Sequence, residues 1–114
     1  MSKIYHNPRC STSRKALALL VEHAYTPEII EYLKTPLSVE QLRTLIQNAG
    51  LTVREAMRPK ETVYTELGLD DPGLDDEHLL NALAEHPILL NRPFVVTDKG
   101  TRLARPLEQV HSIL

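Results

Sequence analysis

The chain of 114 residues contains one cysteine, no tryptophan, one phenylalanine and four glycines. A single thiol excludes an intramolecular disulfide, so burial alone must hold the fold together. The length suffices for one hydrophobic core without metal or cross-links, and one domain spanning residues 1–114 is expected. No apolar run approaches the roughly 18 residues of a membrane helix, and MSKIYHNPRC lacks the apolar core of a secretory signal. These absences predict a cytoplasmic protein that does not engage a membrane. Thirteen Lys and Arg against fifteen Asp and Glu give a net charge of −2, which supplies no bulk field for nucleic acid. The five histidines, at 6, 23, 78, 86 and 111, do not pair with the cysteine at zinc-ligand spacing, so no metal is expected.

Acidic residues are missing from 1–21, where Lys3, Arg9, Arg14 and Lys15 stand alone; residues 61–91 reverse this, with eight acids and no Lys or Arg. The acidic stretch reads as a solvated helical face. The sole cysteine, Cys10, lies in the electropositive part.

Patterning predicts the elements. Lys3 to His6 is a short strand closed by Asn7-Pro8. Ser11, Thr12 and Ser13 offer capping oxygens to a helix whose Ala16, Leu17, Leu20, Val21 and Ala24 repeat at one-face spacing. Glu28 to Leu33 is a second extended segment. Ser38 and Gln41 then form a capping box flanked by Leu37 and Leu42 as a staple, for a helix stopping at Gly50. Thr52 to Glu55 repeats the capping pattern, and Leu74-Asp75 introduces a helix running to about Pro87. Phe94–Thr97 and Thr101–Arg105 flank an Asp98-Lys99-Gly100 turn as a hairpin, and Pro106 suits the first position of a last helix carrying Leu107, Val110, Ile113 and Leu114. The sum is an α/β domain with a mixed sheet and a helical insertion at about 37–86.

The chemistry concentrates at Cys10, between a strand-ending turn and a helix. An ordinary thiol of pKa about 8.5 is only about 3 % ionised at pH 7, so a useful nucleophile needs its pKa lowered by roughly two, or about 2.7 kcal/mol. A helix N-terminus supplies about 0.3–1 kcal/mol. Cations must add the rest, and Arg9, Arg14 and protonated His6 are adjacent in sequence. The amides of Ser11 to Arg14 would also cradle an anion, bringing nucleophile and oxyanion together. In Cys10-Ser11-Thr12-Ser13 no second thiol follows, so a redox cycle must draw electrons from an external thiol, with glutathione or a small dithiol protein as candidates. Across the predicted hairpin Arg92 and Arg105 sit at the same open end, as a clamp for a tetrahedral oxyanion. Arg58 would supply a third guanidinium.

The run His6-Asn7-Pro8-Arg9-Cys10-Ser11-Thr12-Ser13-Arg14 resembles the active-site loop of the ArsC family, the glutaredoxin-coupled arsenate reductases. Glu31 to Pro36, Glu66 to Leu69, His86 to Pro93 and Gly100 to Pro106 resemble the family in order and spacing. The chain stops soon after Arg105-Pro106, and so is similar to the short chromosomal members. The resemblance implies a thioredoxin-like (glutaredoxin-like) fold with a helical insertion and a cis Arg92–Pro93 peptide. It implies that Cys10 attacks arsenate, that Arg58, Arg92 and Arg105 bind the oxyanion, and that His6, Ser13 and Arg14 tune the thiolate. Glutathione would be co-substrate and glutaredoxin the partner, with no bound cofactor. Two other readings are a glutathione- or glutaredoxin-linked thiol oxidoreductase of another substrate, and a fold-related redox regulator binding RNA polymerase. Ser13 stands where those regulators carry a second cysteine.

Overall fold

The structure, a computed structural model, describes residues 1–114. Two compact units divide the chain: residues 1–35 with 92–114, and residues 36–91.

The first unit carries a four-stranded mixed sheet in the order β2-β1-β3-β4. Strands β1 (Lys3–Tyr5) and β2 (Glu28–Ile30) are parallel, joined through helix α1 (Ser11–Glu22). Strands β3 (Phe94–Thr97) and β4 (Gly100–Leu103) form the expected hairpin, and β3 runs antiparallel to β1 with Tyr5 opposite Phe94. Ile4 and Val95 face each other across that pairing and are fully buried with Ala16 and Leu20 of α1 and with Val110 and Ile113 from a 3-10 helix, Leu107–Ile113. Thr97 Oγ1 donates to the Ile113 carbonyl at 2.5 Å and Lys99 Nζ to that of Leu114 at 2.6 Å, fastening this last segment to the hairpin.

Several local expectations are corrected. Val21 faces outward within helix α1, at 60 % exposed, and because the helix stops at Glu22, Ala24 lies beyond it with φ of 64°. Ala24 N–H bonds the Val21 carbonyl and Tyr25 N–H that of Leu20, the paired bonds of a Schellman stop. An alanine fills the left-handed position usual for glycine, which is why the sequence does not announce the end. By contrast Gly50, with φ of 72°, ends α2 (Val39–Asn48) as expected. The strand expected over Glu28–Leu33 is only three residues long, because Glu31 to Thr35 turn back on the Glu31 carbonyl. The last segment is a 3-10 helix rather than an α-helix, and Pro106 is its N-cap instead of its first residue. Arg92–Pro93 is cis, as the resemblance implies, and so is Arg105–Pro106.

The second unit is helical. Its α2 starts at the Ser38–Gln41 capping box and packs against α4 (Asp76–Glu85), burying Leu42, Leu45 and Ile46 with Leu79, Leu80 and Leu83. Arg43 Nη2 pairs with Glu40 on its own helix at 3.2 Å and Arg43 Nη1 with Glu77 of α4 at 2.5 Å. Glu77, from the acidic stretch, thus has a local partner, although exposed pairs of this kind contribute little. A short α3 (Thr62–Glu66) has no apolar period of its own and is not foreseen. Its exit is held by Arg54, in the 3-10 turn Arg54–Ala56: Nη1 donates to Tyr64 Oη at 3.0 Å and to the Leu69 carbonyl at 2.8 Å, Nη2 to the Asp71 carbonyl at 2.5 Å. Arg54→Ala leaves three acceptors without their charged donor and should lower stability by about 2–3 kcal/mol. A fall in the urea midpoint without a change of slope checks this.

Candidate active site

The ladder decides where the chemistry gathers. Tyr5 ends β1, Phe94 begins β3 opposite it, and Leu103 at the end of β4 is opposite Phe94. The residues just outside these three positions therefore emerge at one end of the sheet. These are the loop His6–Cys10, Arg92, and Arg105.

The His6 backbone N–H donates to the Ile30 carbonyl at 2.8 Å, ending the strand pairing. The chain then folds tightly: the Asn7 carbonyl accepts from Cys10 N–H at 3.0 Å, and Asn7 Oδ1 accepts from Arg9 N–H at 3.0 Å. Cys10 becomes the N-cap of α1, with φ of −92° and ψ of 122°, and its carbonyl accepts the first helical bond from Arg14 N–H. No hydroxyl caps this helix. Ser13, expected as a capping oxygen, is fully buried and uses its Oγ elsewhere, 2.6 Å from His6 Nδ1 and accepting from Asn7 N–H at 3.1 Å.

Cys10 is buried and in no disulfide. Burial pushes its thiol pKa up, but the Ser13 backbone N–H, a hydrogen bond from Arg92 and the charges of Arg105 and Arg92 outweigh this and hold it below the ordinary thiol value. Arg105 Nη2 lies 3.3 Å from Cys10 Sγ while its Nε donates to the Arg92 carbonyl at 2.6 Å. That second bond fixes the guanidinium plane, so one face is anchored on the backbone and one points at the sulfur.

Two sequence expectations need adjusting. The charges acting on the thiolate come from Arg92 and Arg105, far along the chain, and not from the neighbouring cations. Arg9 is exposed, and Arg14 spends its Nη1 on the Pro8 carbonyl at 2.9 Å. His6 is a weaker candidate cation as well, since burial, first, and Arg14, against the opposing pull of Glu31, lower its pKa. The amide cradle is also smaller than expected, because Arg14 N–H is taken up by the Cys10 carbonyl. Arg58 belongs to the second unit, where its Nε donates to Glu61 Oε2 at 3.2 Å and its Nη1 to Asn91 Oδ1 at 3.3 Å.

The sequence reading places a turn at Asn7-Pro8 but gives the Asn7 side chain no role in the site. The signal for that role is the Asn side chain's known ability to accept from the amide two residues on, as it does here from Arg9 N–H. No three His, Cys, Asp or Glu side chains gather to hold a metal ion. No helix is long and apolar enough to cross a membrane.

A region with this cysteine-centred geometry has clear relatives. An arsenate reductase of Rhizobium meliloti is 56 % identical over 97 % of this chain and 79 % of its own length. An arsenate reductase of Neisseria meningitidis is 46 % identical over 98 % of this chain and 97 % of its own. The solved structure of an arsenate reductase from Vibrio cholerae superposes with a TM-score of 0.95 at 51 % identity, covering 99 % of this chain and 97 % of that one. These neighbours make the fold thioredoxin-like. The ArsC family model matches residues 5–113, and the chain belongs to the ArsC family.

Proposed function

We propose that the protein reduces arsenate to arsenite with electrons from external thiols. The observation that carries this reading is the Arg105 guanidinium held 3.3 Å from Cys10 Sγ by its bond to the Arg92 carbonyl. It pairs a nucleophile with an oxyanion-binding group, and the relatives named arsenate reductase supply the substrate.

In this mechanism arsenate binds against Arg92 and Arg105, and the Cys10 thiolate attacks arsenic as an oxygen leaves as water. Glutathione adds to the arsenic of the adduct. Arsenic(V) takes two electrons as the sulfurs leave it, arsenite departs, and Cys10 is left in a mixed disulfide with glutathione. Glutaredoxin takes that glutathione and restores the thiolate. Overall two thiols become one disulfide while arsenate loses one oxygen as water. Ser13 and His6 support the thiolate, and Arg14 braces its loop. With no second cysteine in the chain, the resolving thiol comes from outside. We take residues 1–114 as one thioredoxin-like domain with a helical insertion at about 37–86.

The test is a coupled assay with arsenate, glutathione, glutaredoxin, glutathione reductase and NADPH. Arsenate-dependent NADPH oxidation is expected, and it should stop when arsenate, glutathione or glutaredoxin is left out. No arsenate-dependent rate in the complete mixture would overturn the reading in favour of a thiol oxidoreductase with another substrate.

A further inference from the structure

We infer that Asn7 is a positioning residue for the Cys10 thiolate, acting through the loop without touching the reacting atoms. The inference rests on the proposed role of Cys10 as nucleophile. Asn7 is a polar side chain only 5 % exposed, and three of its groups are spent on the same short segment. Its Oδ1 accepts from Arg9 N–H and its carbonyl accepts from Cys10 N–H, closing the turn on the N-terminal side of the sulfur. Its own N–H donates to Ser13 Oγ, reaching into the first turn of α1 on the other side.

Ser13 is the pivot of this arrangement. Its backbone N–H is what most lowers the Cys10 pKa against burial, and its Oγ is shared by Asn7 N–H and His6 Nδ1. A single residue thereby ties the turn that delivers the sulfur to the helical residue that stabilises its charge. Pro8 contributes stiffness but has no N–H to give, so the closure depends on the Asn7 acceptors. With Oδ1 gone, Arg9 N–H loses its partner, the turn opens, and Sγ drifts from Ser13 N–H and Arg105 Nη2.

The experiment follows the alkylation rate of Cys10 by iodoacetamide against pH in the whole chain, which reads the thiolate directly and requires no arsenate. Asn7→Ala is expected to raise the midpoint by about one pH unit. Asn7→Ser, whose hydroxyl accepts the same amide more weakly, should fall between alanine and wild type. A merely structural asparagine would change the unfolding midpoint and leave the alkylation midpoint in place; that result for Asn7→Ala overturns the proposal. If Asn7→Ala does not fold, Asn7→Ser decides, and a wild-type midpoint there overturns it. Failure of arsenate reduction in the wild type, with the midpoint shift present, would remove the substrate and keep the positioning role.

Discussion

Replacing Cys10 by serine is expected to abolish arsenate-dependent NADPH oxidation, by about 10⁴-fold or more, while the fold survives. The change is nearly isosteric, and the loop bonds at this position come from the Cys10 backbone N–H and carbonyl, which serine retains. What disappears is ionisation. The Ser13 N–H, Arg92 and Arg105 act, against burial, on a group whose ordinary pKa is already within reach of neutrality; a serine hydroxyl in the same setting stays protonated. Retained activity in Cys10→Ser, with unchanged circular dichroism, would remove the sulfur from the reaction and with it the mechanism above.

The second large effect is expected at Arg105. Its guanidinium stabilises the thiolate and offers a donor to the incoming oxyanion, so Arg105→Ala should lower kcat/KM by about 10²- to 10³-fold. The pH profile separates the two contributions. The folded Cys10 pKa lies below its ordinary value, so activity should rise with pH through that lowered pKa and be flat above it. Arg105→Ala moves the rise to higher pH, and raising the pH recovers only the part of the loss that came from ionisation. The residual deficit measures oxyanion binding. Arg105→Lys keeps a charge but cannot both donate to the Arg92 carbonyl and reach the sulfur, so it should recover only part of the rate. An unaltered profile and rate in Arg105→Ala would take this residue out of the site.

Much of this was legible from residues 1–22 and 92–105, because the signals there are local: a strand cut by Asn7-Pro8, a cysteine before a helix, and a hairpin whose turn places two arginines at one end. The capping box at Ser38 and the glycine stop at Gly50 were equally plain, each being a side-chain or backbone property of a few adjacent residues. The misreadings share a cause. Proximity in sequence pointed to Arg9 and Arg14 as the cations at Cys10, yet a side chain's direction is fixed by backbone bonds. The turn at Asn7 leaves Arg9 exposed, and Arg14 reaches back to Pro8. Likewise Ser13 looked like a cap and became the buried partner of His6, because the sulfur already occupied the cap position. The stop at Ala24 could not be read because its cause is a pair of backbone bonds, without a glycine to mark it.

The discontinuous first unit also sets an order of events in time. Cys10 is translated 95 residues before Arg105. Until then the thiol lacks both guanidiniums and has the mild acidity of any cysteine. The lowered thiol pKa is therefore a property of the folded chain, since two of its causes, Arg92 and Arg105, are translated long after the sulfur they act on.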